Sequence, residues 1–207
     1  MINKNKKEQI EFYFDCSSPW TYFAFTEILL LSKRQSLEIF WKPILVGGIF
    51  NSVNKDVYEQ RKKPNPIKLN YYNDDLNLWA KVRNIDLNFP KVFPVNSVKA
   101  MRGCLFADKE NKLPIFAKNI FQSYWCQGID ISQDEALLKI VIDSDLNPTE
   151  FIRFIKSQAA KDKLIQNTDE LIQKKGFGSP SFFFKDQMFF GNDRVHLLEA
   201  LIINELI

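Results

Sequence analysis

The stretch Phe14-Asp15-Cys16-Ser17-Ser18-Pro19-Trp20-Thr21-Tyr22 decides how this chain is read. Residues 8–14, Glu-Gln-Ile-Glu-Phe-Tyr-Phe, alternate and are rich in strand formers, and they run straight into it. A helical pattern over 19–33 runs straight out, with Tyr22, Phe23, Phe25, Thr26, Leu29 and Leu30 near one broad stripe. Pro19 suits the first helical position, where a missing N–H costs nothing. Ser18 suits the N-cap, where its oxygen can satisfy an orphan backbone N–H. Leu37–Lys42 alternates again and Pro43 closes it. The order β-α-β at this length is that of a right-handed parallel unit.

Working outward, the strand signal then fades from Leu45 to about Gln173. Residues 47–70 are polar, with Gly47-Gly48, Lys62-Lys63-Pro64 and Asn65-Pro66, and read as a loop with short helical turns. Residues 71–84 read as a helix. Phe89-Pro90 and Phe93-Pro94 mark a proline-punctuated connection. Helices are predicted at about 97–110, 113–127, 133–143, 149–158 and 160–174. Ser132-x-x-Glu135 has the pattern of a capping box, and Asn147-Pro148-Thr149-Glu150 supplies a cap, a proline and an acid in the first turn. The chain then returns to β. Ser181–Lys185 and Met188–Phe190 are two apolar runs joined by Asp186-Gln187, a hairpin candidate. Gly191-Asn192-Asp193-Arg194 opens a final helix. The expected fold is α/β, a thioredoxin-like plan of β-α-β … β-β-α with a large all-α insertion. Its expected parts are a first half at 8–46, a helical insertion at 47–173 and a second half at 174–207.

Composition narrows the function. Of 207 residues, 45% are hydrophobic and 19 are Phe, which is enough for a packed core, and the net charge of +3 is small for that length. Basic and acidic residues are interspersed, so neither nucleic acid nor a membrane surface has a footprint. The basic start, residues 1–7, leads into a strand rather than a secretory apolar run, and the longest apolar stretch elsewhere, Ile28–Leu31, cannot span a bilayer. A cytoplasmic protein is expected. Cys16, Cys104 and Cys126 have no CxxC spacing and His196 is the sole histidine, so neither a disulfide framework nor a metal site is expected.

Several blocks then converge on one family. They are Phe14-Asp15-x-x-Ser18-Pro19-Trp20-Thr21-Tyr22; Leu45-x-Gly47-Gly48-Ile49-Phe50 with Asn54; and Lys68-x-x-Tyr71-x-x-x-Asp75-Leu76. Phe89-Pro90-x-x-Phe93-Pro94-x-Asn96, Ala100-Met101-Arg102, Gly176-x-Gly178-Ser179-Pro180-Ser-Phe-Phe and Phe190-Gly191-Asn192-Asp193-Arg194 follow in order. The chain resembles the 2-hydroxychromene-2-carboxylate isomerase and kappa-class glutathione transferase family, a branch of the DsbA-like thioredoxin superfamily. In that superfamily redox members carry Cys-Pro-X-Cys where this chain has Ser18-Pro19-Trp20-Thr21. Disulfide exchange by that pair is therefore excluded here.

The resemblance implies glutathione as cofactor and a borrowed thiol. A free thiol has a pKa near ~8.5, and lowering it by about two units needs roughly 2.7 kcal/mol of preference for the anion. One hydrogen bond to a charged group contributes about 1.5–3 kcal/mol, and a helix N-terminus about 0.3–2 kcal/mol. By resemblance, Ser18 is the catalytic residue that donates to the glutathione sulfur; from spacing alone it is an N-cap serine. Cys16 reads as a buried small residue rather than a nucleophile. The resemblance makes Pro180 a cis-proline that aims the backbone of Ser179 at the ligand, whereas the residues alone give a turn proline. Asn192 and Asp193 would meet the γ-glutamyl end at a helix start, a place where they can equally be caps. Asn54 and Lys68 would hold the glycine end. The chain departs from the family pattern there, with Val53-Asn54 for the usual Gly-Asn, and Arg61, Lys62 or Lys63 can substitute. Trp20, Tyr71, Tyr72, Trp79, Phe89 and Phe93 can line a pocket or simply fill the core.

The activity implied is isomerisation of a small, electrophilic and aromatic substrate with glutathione regenerated. The alternatives are kappa-type transfer, in which glutathione is consumed, and a non-catalytic glutathione-binding protein. A homodimer is the expected assembly.

Overall fold

The computed structural model describes residues 9–206, so Glu8 of the first predicted strand, the basic segment 1–7 and the end of the last predicted unit, Ile207, lie outside it. Four strands form one sheet in the order β2-β1-β3-β4: β1 (Gln9–Phe14), β2 (Glu38–Pro43), β3 (Ser181–Phe184) and β4 (Gln187–Phe190). β1 pairs parallel with β2, Phe12 opposite Trp41, and antiparallel with β3, Phe12 opposite Phe182. β3 and β4 form the predicted hairpin, but its turn is Lys185-Asp186, because Gln187 already pairs with Phe184. Lys185 sits in the left-handed region at φ 53°.

The crossover helix α1 (Pro19–Gln35) joins β1 to β2. Between β2 and β3 run α2 (Val46–Val53), α3 (Asp56–Lys62), α4 (Pro66–Val82), α5 (Val98–Lys109), α6 (Leu113–Trp125), α7 (Asp134–Asp143), α8 (Pro148–Ile155) and α9 (Gln158–Gln173). The final helix is α10 (Arg194–Leu206). This is the expected thioredoxin-like plan, and no strand interrupts the helical segment among the described residues.

Two readings are corrected. Residues 47–70 are not mainly loop: they form α2, α3 and the first turn of α4. Asn65 caps α4, its Oδ1 accepting from the N–H groups of Ile67 and Lys68, and Pro66 stands at the first position. The capping box at Ser132 and Glu135 is not formed either. α7 begins at Asp134 with Gln133 as its cap residue and no side-chain cap bond. Asn147 does cap α8 as read, accepting from the N–H of Glu150 at 3.1 Å.

The inner strand β1 is covered on both faces at its C-terminal half, where Phe12, Tyr13 and Phe14 are all buried. Ile10, Phe12 and Phe14 are fully buried on one face, in a core shared with α1, α5, α6 and α10. Phe12 stacks on Phe182 at 4.7 Å between ring centroids. Tyr13 points to the other face, into a smaller cluster with Ile49 of α2 and Leu171 of α9. A third cluster, Phe23 with Leu76 and Ala80, fastens α1 to α4.

Candidate functional site

Ser18 is the N-cap of α1, with β-region backbone, and its Oγ accepts from the N–H of Thr21 at 3.3 Å. Pro19 has no N–H to offer. Among the described residues nothing accepts from the N–H of Trp20, so the helix end keeps one free donor beside the hydroxyl. The Ser18 hydroxyl donates to the carbonyl of Ser179 at 3.3 Å. That is long for an O–H···O bond, whose usual length is about 2.7–2.8 Å, so it is readily exchanged for a better acceptor.

The Ser179–Pro180 peptide is cis. The Ser179 side chain locks this turn to the start of α1: its Oγ accepts from the N–H of Asp15 at 3.0 Å and lies 2.8 Å from the hydroxyl of Thr21. The two hydroxyl-bearing positions of the Ser-Pro-X-Thr segment thus both face Ser179. The N–H of Gly191 donates to the carbonyl of Pro180, tying the turn to the approach of α10. Gly191 has φ 108°, a conformation that glycine supplies without penalty.

Asp15 organises the floor. Its carboxylate is buried, with one oxygen accepting from the N–H of Ser17 at 2.9 Å. The other accepts from the N–H of Val46 at 2.9 Å and the hydroxyl of Ser97 at 3.1 Å. One side chain thereby holds the ends of β1, the start of α2 and the approach to α5. Burial raises its pKa from the ordinary carboxylate value, against the opposing pull of the Ser17, Val46 and Ser97 hydrogen bonds. Sequence reading gave this residue no role. The available signal was a carboxylate at the end of an apolar strand, one step before a helix start.

The three cysteines are free thiols. Cys16 and Cys104 are buried, and burial pushes both thiols well up; Cys126 is also raised by burial. None is set up as a thiolate.

These groups open onto a cavity of about 1220 Å³. Of the predicted site residues, Ser18, Ser179, Asn54 and Lys68 line it; Pro180, Asn192 and Asp193 do not. Trp20, Tyr72, Phe89 and Phe93 line it as well, whereas Tyr71 and Trp79 do not. Asn54 donates from Nδ2 to the carbonyl of Phe177 at 3.2 Å, so part of its amide already secures the loop before Ser179. The charged residues in the lining are Arg61, Lys63, Lys68 and the buried Asp15, so the reachable charge is positive. Asn192 lies just before α10, buried, and its Nδ2 has no hydrogen-bond partner. Asp193 is exposed and sits 3.6 Å from Arg194.

Away from the cavity, Glu27, His196 and Glu199 place ligand atoms within 4.8 Å of one another. Both oxygens of Glu27 already accept from guanidinium groups, those of Arg34 and Arg83. The cluster is an ion-pair network joining α1, the end of α4 and α10.

A thioredoxin-like sheet, a cis-proline turn facing a helix start and hydroxyls in place of both redox cysteines define a thioredoxin-fold protein without a disulfide of its own. The family model described as DSBA-like thioredoxin domain matches residues 9–202, and the chain belongs to that family. The 2-hydroxychromene-2-carboxylate isomerase of Pseudomonas putida is 29% identical over 193 residues, covering 92% of each chain. Glutathione S-transferase kappa 1 of Caenorhabditis elegans is 25% identical over 213 residues, covering 95% of this chain and 92% of the relative. A solved structure of a 2-hydroxychromene-2-carboxylate isomerase superposes with a TM-score of 0.82 at 26% identity, covering 96% of both chains. The relatives are enzymes, isomerases and kappa-class glutathione transferases.

Proposed function

We propose that this protein is a glutathione-dependent isomerase of the 2-hydroxychromene-2-carboxylate isomerase type, with Ser18 stabilising the thiolate. The observation that carries the reading is the Ser18 hydroxyl at the start of α1, hydrogen-bonded to the Ser179 carbonyl where both residues line a cavity with positive reachable charge. The residues present suit glutathione. Asn192 and Asp193, which lie outside the cavity lining, have the chemistry for the γ-glutamyl end, a buried amide donor without an acceptor and a carboxylate for the ammonium. Lys68 suits the glycine carboxylate, with Asn54 offering its remaining amide hydrogen and oxygen.

When bound, glutathione supplies a thiolate able to add to a conjugated double bond, permit rotation about it and leave again. The protein's part is electrostatic. Ser18 exchanges its long bond to Ser179 for one to a charged acceptor, and the free N–H of Trp20 and the dipole of α1 add to it. The Ser179 carbonyl released by that exchange becomes an acceptor for a peptide N–H laid along the turn in the manner of an added strand. Thr21 and Asp15 keep Ser179 still while its carbonyl changes partner.

The relatives named kappa-class transferases favour a second reading, in which the thiol stays on the electrophile. The deciding measurement is glutathione itself: unchanged after many turnovers for isomerisation, lost one per product for transfer. The thiolate claim is tested by titrating the ultraviolet absorbance of the complex against pH. An apparent thiol pKa well below ~8.5 supports catalysis, and an unperturbed one means binding without activation.

Among the described residues no helix is long and apolar enough to cross a membrane. Free thiols at all three cysteines suit a reducing compartment, in keeping with a cytoplasmic enzyme. The exposed apolar side chains of α4, Ile67, Tyr71, Leu78 and Val82, supply a surface for the expected homodimer.

A further inference from the structure

Every polar group of Asp15 is engaged by a different wall of the site. Its N–H donates to Oγ of Ser179 in the cis-proline turn at 3.0 Å, and its carbonyl accepts from the N–H of Ser18 at 3.3 Å. Its Oδ1 accepts from the N–H of Ser17 at 2.9 Å, two residues on, in the manner of an Asx turn. Its Oδ2 accepts from the N–H of Val46, the first residue of α2, at 2.9 Å and from the hydroxyl of Ser97, the residue before α5, at 3.1 Å. Asp15 is 1% exposed and borders the cavity.

The two residues that lead into α1, Ser17 and Ser18, thus both give their backbone N–H to Asp15. The hydroxyl of Ser18 donates to the carbonyl of Ser179, whose side chain takes the N–H of the same residue. Both ends of the Ser18–Ser179 bond are therefore referenced to Asp15. We propose that Asp15 is a positioning residue: through Ser17, Ser18 and Ser179 it fixes the direction of the Ser18 hydroxyl toward a bound glutathione sulfur. The proposal rests on the glutathione-dependent reading of the cavity. Three arguments support it. First, a hydrogen bond weakens steeply once its angle falls below about 120°, so a loosened turn forfeits thiolate stabilisation while every group that touches the ligand is still present. Second, the pattern selects an acid over its amide. A backbone N–H faces each oxygen, so an acceptor is required at both; an amide has one oxygen and sets N–H against N–H at the other place whichever way it is turned. Third, any negative charge on Asp15 would repel a thiolate, so the residue serves the anion through geometry and against its own charge.

The test is Asp15→Asn in the full chain, which keeps the shape and removes one acceptor and any charge. Wild type and variant are saturated with glutathione, and the ultraviolet absorbance of the thiolate is titrated against pH with the unliganded protein as blank. Positioning predicts that the bound thiol pKa rises by about one unit, which is about tenfold less thiolate at a pH below both values. Glutathione affinity, measured calorimetrically at such a pH, should weaken by less than about threefold. Removal of a repelling charge alone would lower the thiol pKa, and a lowered value would overturn the proposal. So would an unchanged thiol pKa beside a reduced urea midpoint, the mark of a residue that only supports the fold. If Asp15→Asn does not fold, Ser97→Ala decides. It removes one donor from Oδ2 and leaves both backbone bonds, and it should raise the thiol pKa by about half a unit, or about threefold in thiolate; no rise would overturn the proposal. Glutathione titrated into wild type keeps the two readings apart. Absence of binding there ends the glutathione reading and this proposal with it, whereas binding with an unshifted thiol pKa in Asp15→Asn ends this proposal alone.

Discussion

Ser18 does two things with one oxygen. It accepts from Thr21 as a cap and holds a proton that can be donated elsewhere. Ser18→Ala removes both. Loss of a hydrogen bond to a charged acceptor is worth about 1.5–3 kcal/mol, so the bound thiol pKa should rise by about one to two units and turnover should fall roughly 10- to 150-fold. Loss of the cap should cost about 1 kcal/mol of stability. Ser18→Thr keeps the hydroxyl and should restore most of the activity, which separates the chemistry from the cap. Survival of activity in Ser18→Ala together with its loss in Ser17→Ala would move the assignment to the neighbouring serine. Asp15 makes a pH prediction. Burial raises its folded-state pKa, so the fold favours the neutral form more than the unfolded chain does. The stability tied to that neutral form is complete below the unfolded value of about 3.9 and is lost as pH rises through the raised value. Asp15→Asn cannot ionise. The stability of wild type relative to Asp15→Asn should therefore fall as pH rises through this window and level off above it, as read from urea midpoints at a series of pH values. A difference that does not vary with pH would show that the hydrogen bonds from Ser17, Val46 and Ser97 fully offset burial.

At the level of elements, α1 is fastened by charge as well as by packing. Glu27 on α1 accepts from Arg83, the residue after α4, and from Arg34, which also reaches Glu199 on α10. The side chains of Glu27 and Arg83 are 6% and 8% exposed, while that of Arg34 is 43% exposed. Removing one partner of a buried pair leaves a stranded charge and costs about 3–5 kcal/mol, whereas an exposed pair is worth about 0–1 kcal/mol. Glu27→Ala should thus destabilise severely by urea unfolding and Arg34→Ala only slightly. None of this network was legible in the sequence, because its members come from three distant helices and carry no spacing signal. The elements themselves were largely legible. Alternation marked β1 and β2, the proline-capped start marked α1, and two short Phe-rich runs marked the hairpin. Asn65-Pro66 is instructive, since the same dipeptide at Asn147-Pro148 reads from the sequence as a helix start. Both asparagines cap, and both prolines stand at the first position. What obscured the first was the exposed, polar course of α4, whose buried side chains are confined to Leu76 and Ala80. The geometry of the candidate site was legible where the chain is contiguous, at Ser18 on the helix start and at the Ser179-Pro180 turn. Asp15 acquires meaning only from what the fold brings to it, backbone donors at Val46 and Ser17.

The whole molecule joins its helical segment to its sheet through one core rather than along a seam. Phe12 and Phe14 of β1, Phe25 of α1, Phe121 and Trp125 of α6 and Leu198 of α10 belong to a single buried cluster. The joint is polar as well as apolar. The indole N–H of Trp125 donates to the carbonyl of Cys16 at 2.9 Å, and the Asp15 carboxylate grips the start of α2 and Ser97. The bonds of Trp125 and Ser97 cross from the thioredoxin-like halves to the helical segment, and that of Val46 holds the start of its first helix. Unfolding that segment alone would expose the main face of β1 and orphan a buried carboxylate, a combination that costs more than domain separation across a small interface. The protein should therefore unfold in one cooperative step. Far-ultraviolet circular dichroism, which reports mainly the helices, and tryptophan fluorescence, which reports Trp41 on the sheet as well as Trp125, should give superimposable urea transitions. The calorimetric and van't Hoff enthalpies should agree. Transitions that do not superimpose, with helicity lost while part of the fluorescence change is still to come, would mean that residues 47–173 are a separable domain. In that case the cavity would open by docking and undocking of two units, and glutathione should raise the stability of the helical transition more than that of the sheet.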